Sequence, residues 1–210
     1  GEVIVMHDSN AYRTTGVDGN IANMTYKEVR RLDAGSWYSD EYKGEKVPGL
    51  REVLELAQGK IKLNIELKPA DNGEELARKT VALIEKYNME NDCVITSFSS
   101  SALLAAKSCD ESIRVGYILS AAYGDYYDMK NIDFFSVNAA FLSKRTIDAI
   151  HNSGKQVYAW TVNNKDSIKN LTNKGVDGVI TDNPVLARET IYSRDTSETI
   201  INMIRYVFNQ

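Results

Sequence analysis

The sequence has no excess of positive charge and no basic stretch. Its 25 Lys and Arg residues are outnumbered by 29 Asp and Glu residues, which gives a formal net charge of -4 at pH 7. Proteins that bind nucleic acids depend on Lys and Arg to neutralise phosphates. We therefore expect no nucleic-acid partner.

Long apolar runs and cysteine motifs are also missing. The apolar runs have the length of a strand and are interrupted by charged residues, so none predicts a membrane-spanning helix. The N-terminus lacks the basic and apolar regions of a signal peptide, and we expect a soluble domain. Cys93 and Cys109 have neither zinc-ligand spacing nor a CxxC pattern. We interpret both as small buried residues.

Histidines are scarce, and glycine-rich phosphate loops are absent. No GxxxxGK[ST] motif occurs, so the sequence offers no nucleotide site of that kind. The two histidines are His7 and His151. His7 closes the run VIVMH and precedes Asp8, so it is either a catalytic acid–base group or a buried histidine bonded to the backbone. His151 lies just before Gly154, where we interpret it as a cation at a helix C-terminus.

What the sequence does contain is a regular alternation of strand and helix patterns. An amphipathic helix is predicted over 74–87, and further helices begin after Ser143 and Asn164. Runs rich in strand-forming residues occur at 3–7, 61–67, 93–98, 114–119, 133–138, 156–162 and 177–181. Because parallel strands need a crossover, which is usually a helix, this order predicts an α/β fold with a parallel sheet.

Alternation within one strand favours a barrel over an open, doubly wound sheet. In KLNIELK the apolar residues share one face, whereas Asn64, Glu66 and Lys68 share the other. Strands of a doubly wound sheet are apolar on both faces. In a (β/α)8 barrel one face points into the lumen, and the C-terminal rim carries the active site. We therefore expect Glu66 and Lys68 at that rim.

The chemistry of these two residues has two interpretations. Glu66 is suited to bind a hard cation or to act as a base, and Lys68 is suited to neutralise an anionic substrate. The alternative is an ion pair that only fills the barrel. Trp160 likewise either lines the rim for a ligand or packs the sheet. Residues 9–58 lack the β–α rhythm, and we interpret them as an ordered excursion over the rim, with a helix at 26–33 started by Thr25.

Seven segments then form a recognisable series. In order, they are VIVMHD, RTTG, VPGLREVL, LNIELK, ITSF, VYAWTVN and GVDGVITDNP. Together they resemble the glycerophosphodiester phosphodiesterase family, over residues 1 to about 188. GYILSAAYGDYY and the C-terminal stretch look most like the bacterial branch in which the catalytic domain follows a multi-span membrane region.

The resemblance implies an activity and a set of site residues. Members of this family are TIM (β/α)8 barrels that hydrolyse glycerophosphodiesters to an alcohol and glycerol 3-phosphate, in lipid and glycerol metabolism, with one divalent cation, Ca²⁺ or Mg²⁺. It implies that His7 is one of two catalytic histidines and that Glu66 is a metal ligand. It also implies that Lys68 contacts the phosphate as a catalytic group and that Trp160 shapes the substrate pocket.

The sequence also departs from the family pattern. The HRG, ENT and ExD motifs of the family, which supply the other histidine, an arginine and two metal carboxylates, do not occur before VIVMHD. We therefore expect a phosphodiesterase-type barrel that lacks its first two β–α units, over residues 1–188. We expect this chain alone to be inactive, and a separate N-terminal segment or a second copy to complete the barrel.

The remaining expectations concern the C-terminal stretch and the alternatives. Residues 189–210 predict an amphipathic helical tail, with Ile200, Ile204 and Phe208 on one face, which would cover apolar surface or lie near a membrane. The parent protein is expected to be membrane-associated, with the side of the membrane open. Two other functions remain: a catalytically dead barrel that acts as a binding or regulatory domain, and a related phospholipid phosphodiesterase.

Overall fold

The computed structural model describes residues 1–192, apart from residues 72, 122, 123 and 125. The chain divides into two compact units, Gly1–Arg114 and Val115–Gln210. The predicted amphipathic tail at 189–210 begins within the helical segment at 184–192, and the rest of it, with Ile200, Ile204 and Phe208, lies outside the described residues.

Strands and helices alternate along most of the chain, which confirms the α/β prediction. The described residues contain six strands: β1 (Leu63–Leu67), β2 (Cys93–Ser97), β3 (Arg114–Leu119), β4 (Phe134–Asn138), β5 (Gln156–Trp160) and β6 (Gly178–Val179). The helices are α1 (Tyr12–Thr15), α2 (Tyr26–Val29), α3 (Leu50–Ala57), α4 (Glu74–Lys86), α5 (Ser100–Cys109), α6 (Lys144–Asn152) and α7 (Lys165–Lys174).

The predicted strand at 3–7 is wrong. Ile4 makes a single antiparallel bridge with Gly49, and the Val5 N–H donates to the Pro48 carbonyl oxygen at 2.9 Å. This extended segment therefore pairs with an irregular part of the chain instead of with another strand. Strand-forming residues favour an extended backbone, but a strand also needs an extended partner.

In the first unit, β1 and β2 pair in parallel, with Glu66 opposite Thr96 and Leu67 opposite Ser97. Helices α4 and α5 supply the apolar side chains that complete this unit. Their fully buried residues include Ala77, Ile84 and Leu103. The sequence analysis missed α5, because its sequence SSALLAAKSC is rich in small residues and lacks a clear apolar stripe.

Residues 9–58 have helices and a small core of their own. The predicted helix at 26–33 is shorter, since α2 ends at Val29, but Thr25 starts it with the expected capping box to Glu28. Four buried residues form the core of this segment: Ala11, Val29, Leu32 and Val47. The excursion is therefore an ordered structure, although its position over a barrel rim stays a prediction.

In the second unit, β3 pairs with β4, β4 with β5 and β5 with β6, always in parallel. Phe134 and Phe135 are fully buried. Gly116 lies against Phe134 so closely that a Cβ atom added at Gly116 would stand 2.1 Å from the ring. Ser143 and Asn164 cap α6 and α7, as predicted from the sequence.

The two cysteines differ from each other. Cys93 is buried, as expected, and burial raises the pKa of its thiol to about 11. Cys109 is exposed, so the prediction that both are buried is wrong for this residue. It is the last residue of α5, beyond the buried residues Ala102, Leu103 and Ala106 of that helix. Among the described residues, no helix is both long and apolar enough to cross a membrane.

Candidate active site

Glu66 and Lys68 lie at the carboxyl end of β1, where the alternation of the strand places both side chains on one face. Lys68 Nζ is 3.7 Å from Glu66 Oε2, and the side chains are 37% and 30% exposed. Both line a shallow depression of about 450 Å³, together with Asp71 and with Ser97 to Ser99 of the β2–α5 connection. The two groups therefore face an open recess and not a helix.

Buried hydroxyl groups fix this edge of the sheet. The Ser97 hydroxyl is fully buried and donates to the Leu67 carbonyl oxygen at 2.8 Å. The same hydroxyl oxygen accepts the Ser99 N–H at 3.0 Å. The first bond joins β2 to the end of β1, and the second fixes the hydroxyl within the β2–α5 connection, so the backbone that carries Glu66 and Lys68 is held in one position.

His7 reaches the same place through its backbone. Lys68 Nζ donates to the His7 carbonyl oxygen at 2.9 Å. The structure thus brings together three of the four predicted site residues, namely Glu66, Lys68 and His7. The His7 side chain is 75% exposed, so it is not the buried histidine of the alternative interpretation.

The His7 ring has a carboxylate partner. Its Nδ1 lies 2.8 Å from Asp8 Oδ1, and Arg13 donates to both oxygens of Asp8. The hydrogen bonds from Arg13, and to a smaller extent the one from His7, hold the pKa of Asp8 well below its usual range. The carboxylate therefore stays ionised over the whole physiological pH range.

Trp160 belongs to the second unit. It is the last residue of β5, and its indole N–H donates to the Ser136 carbonyl oxygen on β4 at 3.0 Å. This bond orients the ring, and its part in a substrate pocket stays a prediction. His151 is in the second unit too, at the end of α6, where its Nε2 pairs with Asp177 Oδ2 at 2.9 Å. A carboxylate partner, in addition to the helix end, therefore accounts for this histidine.

A divalent cation needs several hard oxygen ligands. The Glu66 carboxylate is of the right chemical type and lies beside an open recess. However, nowhere in the described part of the chain do three His, Cys, Asp or Glu residues group closely enough to hold a metal ion. The described residues thus offer one candidate ligand and do not fit a complete metal centre.

Sequence analysis missed the contributions of Ser97 and Arg13. Ser97 lies in the ITSF segment, but a lone serine offers no signal of such a role. Arg13 was part of the RTTG segment, and its distance of five residues from Asp8 gave no reason to join them. The polar loop directly after the extended run that ends in His7 and Asp8 is the one sequence signal for Arg13.

Comparisons with known proteins extend these observations. A glycerophosphodiester phosphodiesterase of Caldanaerobacter subterraneus is 28% identical over 215 residues, covering 98% of this chain and 81% of the relative. The structure of an Oleispira antarctica phosphodiesterase, in complex with the product sn-glycerol-3-phosphate, matches with a TM-score of 0.79 and 30% identity, over 90% of this chain and 78% of that chain. A glycerophosphodiester phosphodiesterase from Agrobacterium tumefaciens matches with a TM-score of 0.72 and 25% identity, over 89% and 80%.

These matches test the predicted fold class. They confirm the predicted phosphodiesterase-type TIM barrel, and the six strands among the described residues are consistent with one that lacks its first two β–α units. Residues 1–186 match the Glycerophosphoryl diester phosphodiesterase family. With almost nine-tenths of its length matched, the chain belongs to the glycerophosphoryl diester phosphodiesterase family.

Proposed function

We propose that the site at the end of β1 serves the hydrolysis of glycerophosphodiesters to an alcohol and glycerol 3-phosphate. The observation that carries this proposal is the position of Lys68 Nζ between the Glu66 carboxylate and the His7 carbonyl oxygen, beside an open recess. The Oleispira antarctica structure, which holds the product sn-glycerol-3-phosphate, supports this choice of small molecule.

Lys68 is proposed to bind the phosphate group. An ammonium group has three hydrogen-bond donors, and one of them is used by the His7 carbonyl oxygen. The two others remain for Glu66 and for a phosphate oxygen. Because the ammonium is already fixed before the substrate arrives, it stabilises negative charge that develops on the phosphate without reorganisation.

His7 is proposed as the acid–base group. It is exposed, and its backbone is fixed beside Lys68, so the ring can approach a phosphate that is bound there. Its task would be to move a proton to or from an oxygen of the diester. His151 is occupied by Asp177 in the second unit, which leaves His7 as the histidine suited to this task.

Two further assignments complete the proposal. Trp160 would shape the substrate pocket, since the bond to Ser136 keeps its ring in one orientation. For the divalent cation that the family resemblance implies, Ca²⁺ or Mg²⁺, Glu66 offers one ligand, and further ligands would have to come from elsewhere. We accordingly expect little or no hydrolysis of glycerophosphocholine by this chain alone.

The first test is binding of sn-glycerol-3-phosphate, followed by NMR of the ¹⁵N-labelled full chain. We expect amide shift changes around Glu66, Lys68 and Ser97, and at least a tenfold weaker binding in Lys68→Ala, because a preorganised charged hydrogen bond is lost. Lys62→Ala is the matched control, since Lys62 is a nearby lysine whose side chain is 79% exposed and pairs with Asp92. Equal loss of binding in the two variants would contradict the assignment of Lys68.

The second test separates an enzyme from a binding domain. Release of glycerol 3-phosphate from glycerophosphocholine is measured for this chain mixed with a peptide that carries the HRG and ExD segments of a relative. Turnover that disappears in Glu66→Ala and His7→Ala supports hydrolysis. Binding without turnover would favour the catalytically dead barrel, and cleavage of intact phospholipids alone would favour the related phospholipid phosphodiesterase.

The membrane tether and the completing partner are proposals as well. We propose that the domain works in a membrane-associated bacterial protein and that a second segment or copy completes its barrel. Relatives such as the one from Caldanaerobacter subterraneus are bacterial, which is consistent with a bacterial protein. Sedimentation of the full chain, with and without the added peptide, tests the completion of the barrel. A one-to-one complex with the peptide is expected if a separate segment completes it, and a dimer without the peptide if a second copy does.

A further inference from the structure

Three successive contacts connect Trp37 to the ring of His7. The Arg13 guanidinium lies over the Trp37 ring, with Cζ 5.4 Å from the ring centroid. Arg13 Nε and Nη2 donate to Asp8 Oδ2 and Oδ1 at 2.5 and 3.1 Å. Asp8 Oδ1 then lies 2.8 Å from His7 Nδ1. All four residues belong to the first unit.

The ionisation of Asp8 decides where the His7 proton is. Hydrogen bonds from Arg13 and His7 lower the pKa of Asp8, and Asp8 in turn raises the pKa of Arg13. An ionised carboxylate only accepts hydrogen bonds. The proton between Asp8 and His7 is therefore on Nδ1, and in the neutral ring Nε2 carries none.

Burial does not orient the His7 ring. The side chain is 75% exposed, so no packed cavity fixes it. Its backbone carbonyl is held by Lys68, and its ring is held by Asp8. The orientation of the imidazole thus depends on the Asp8 carboxylate, and the position of that carboxylate depends on the two donors of Arg13.

We propose that Arg13 is a positioning residue that holds Asp8 so that His7 keeps its proton on Nδ1 and presents Nε2 as a proton acceptor. Trp37 supports Arg13 by stacking under its guanidinium. This inference rests on the proposed acid–base role of His7. It gives residues 9–58 a task in the site, since both Arg13 and Trp37 come from that segment while His7 and Asp8 precede it.

His151 provides a control within the same molecule. It pairs with Asp177 through Nε2 and not through Nδ1, and Asp177 Oδ2 also accepts the Val157 N–H at 2.8 Å. The two histidines of the chain should therefore carry their protons on opposite nitrogens. Because the sequence has only these two histidines, their ring signals are easily distinguished by mutation.

The experiment is a long-range ¹H–¹⁵N NMR measurement of the ¹⁵N-labelled full chain, recorded over a pH series that is extended upward until the ring ¹⁵N signals no longer change. In the unaltered protein we expect His7 in the Nδ1–H form and His151 in the Nε2–H form. Asp8→Ala should return His7 to the Nε2–H form that free histidine prefers in water. Arg13→Gln should give a mixture, and Arg13→Lys should keep more of the Nδ1–H form, because lysine retains the charge but not the two-pronged geometry.

Trp37→Leu should also lower the fraction of His7 in the Nδ1–H form, but by less than Arg13→Gln does. If Arg13→Gln does not fold, Trp37→Leu is the variant that tests the proposal. His151 signals that do not change serve as the control in every variant. The inference is overturned if His7 in the unaltered protein is in the Nε2–H form. It is also overturned if Asp8→Ala or a folded Arg13→Gln leaves the His7 tautomer unchanged. Where Arg13→Gln does not fold, an unchanged tautomer in Trp37→Leu overturns it.

This measurement needs neither substrate nor metal, so its failure differs from a failure of the proposed function. If glycerol 3-phosphate does not bind but His7 is in the Nδ1–H form, the hydrolytic proposal fails and the positioning of His7 stands. If glycerol 3-phosphate binds and Arg13→Gln does not change the tautomer, Arg13 has no positioning role.

Discussion

Residues 8–49 of the first unit and strands β3–β5 of the second unit keep their structures by different means. The first region has a small core and many polar contacts, such as the Asp33 carboxylate, which accepts the N–H groups of Gly35, Ser36 and Gly44. In the second region β4 is buried on both faces, and Phe134 and Phe135 are fully inaccessible. Charged, hydrogen-bonded side chains support the candidate site, whereas apolar packing supports β3–β5.

The difference matters because the two kinds of contact respond to different changes. Removing a buried aromatic ring leaves a cavity and loses several kcal/mol, but it moves no charge at the site. Removing an exposed charge alters the site and has little effect on folding. Stability and ligand binding should therefore respond to separate sets of substitutions.

The largest expected effect is on folding and comes from Phe134→Ala. The ring is fully buried and lies against Tyr158 at a centroid distance of 4.7 Å. We expect the free energy of unfolding to fall by about 3–5 kcal/mol, measured by urea denaturation. Val185→Ala, at an exposed position, should change it by less than about 0.5 kcal/mol. Similar losses in both variants would contradict the comparison.

Gly116→Ala should have the next largest effect. The added methyl group would stand 2.1 Å from the Phe134 ring, so the strands must shift or the ring must leave its position. Overpacking of this kind costs about 1–3 kcal/mol. In a double-mutant cycle, Phe134→Leu should make Gly116→Ala less costly, because the smaller side chain makes room. Additive effects would show that the two residues do not compete for space.

Acid should loosen residues 33–44 before it affects β3–β5. Hydrogen bonds from the Ser36 N–H and hydroxyl, and from the Gly35 N–H, lower the pKa of Asp33. A carboxyl group with a lowered pKa stabilises the fold above its unfolded value, about 3.9, and loses this effect as the pH falls through the folded value. Hydrogen exchange at Gly35, Ser36 and Gly44, corrected for intrinsic rates, should therefore become severalfold faster below about pH 4.

Asp33→Asn gives the matched control for that experiment. Its amides should exchange faster already at neutral pH and show a weaker acid response, because the titrating group is gone. Equal acid responses in the variant and the unaltered chain would assign the loosening to another carboxylate. Exchange of the β4 amides should not change in either protein, since Phe134 and Phe135 keep that strand inaccessible.

The smallest effect on folding is expected for Glu66→Gln. The side chain is partly exposed, and its ion pair with Lys68 spans 3.7 Å. Such pairs contribute less than about 1 kcal/mol, so the urea midpoint should hardly change. A large loss of stability would mean that the ion pair of Glu66 and Lys68 has a structural role and only fills the barrel, which is the alternative that the sequence left open.

Much of this architecture could be predicted from local patterns. The alternation in KLNIELK identified β1 and placed Glu66 and Lys68 on one face. The caps at Ser143 and Asn164 identified the start of α6 and α7. Each of these features depends on neighbours within a few residues, which is the range over which periodicity and capping act.

The errors arose where contacts distant in sequence decide the outcome. Residues 3–7 have a strand composition, but they pair with the irregular chain around Gly49. Cysteine is a residue type that is usually buried, yet Cys109 lies at an exposed helix end. No pattern predicts α5 clearly, because its alanines fit against α4 through small size and not through an apolar stripe.

The sequence by itself determined the fold class and the polar face of β1 with Glu66 and Lys68, because side-chain alternation along a strand is a local property, and its resemblance to the family supplied His7. Only the tertiary structure decided that Lys68 binds the His7 carbonyl oxygen and that Arg13 and Trp37 support Asp8. These contacts join segments that are between 5 and 61 residues apart. Their partners are chosen by the packing of the whole unit, and no local pattern encodes that choice.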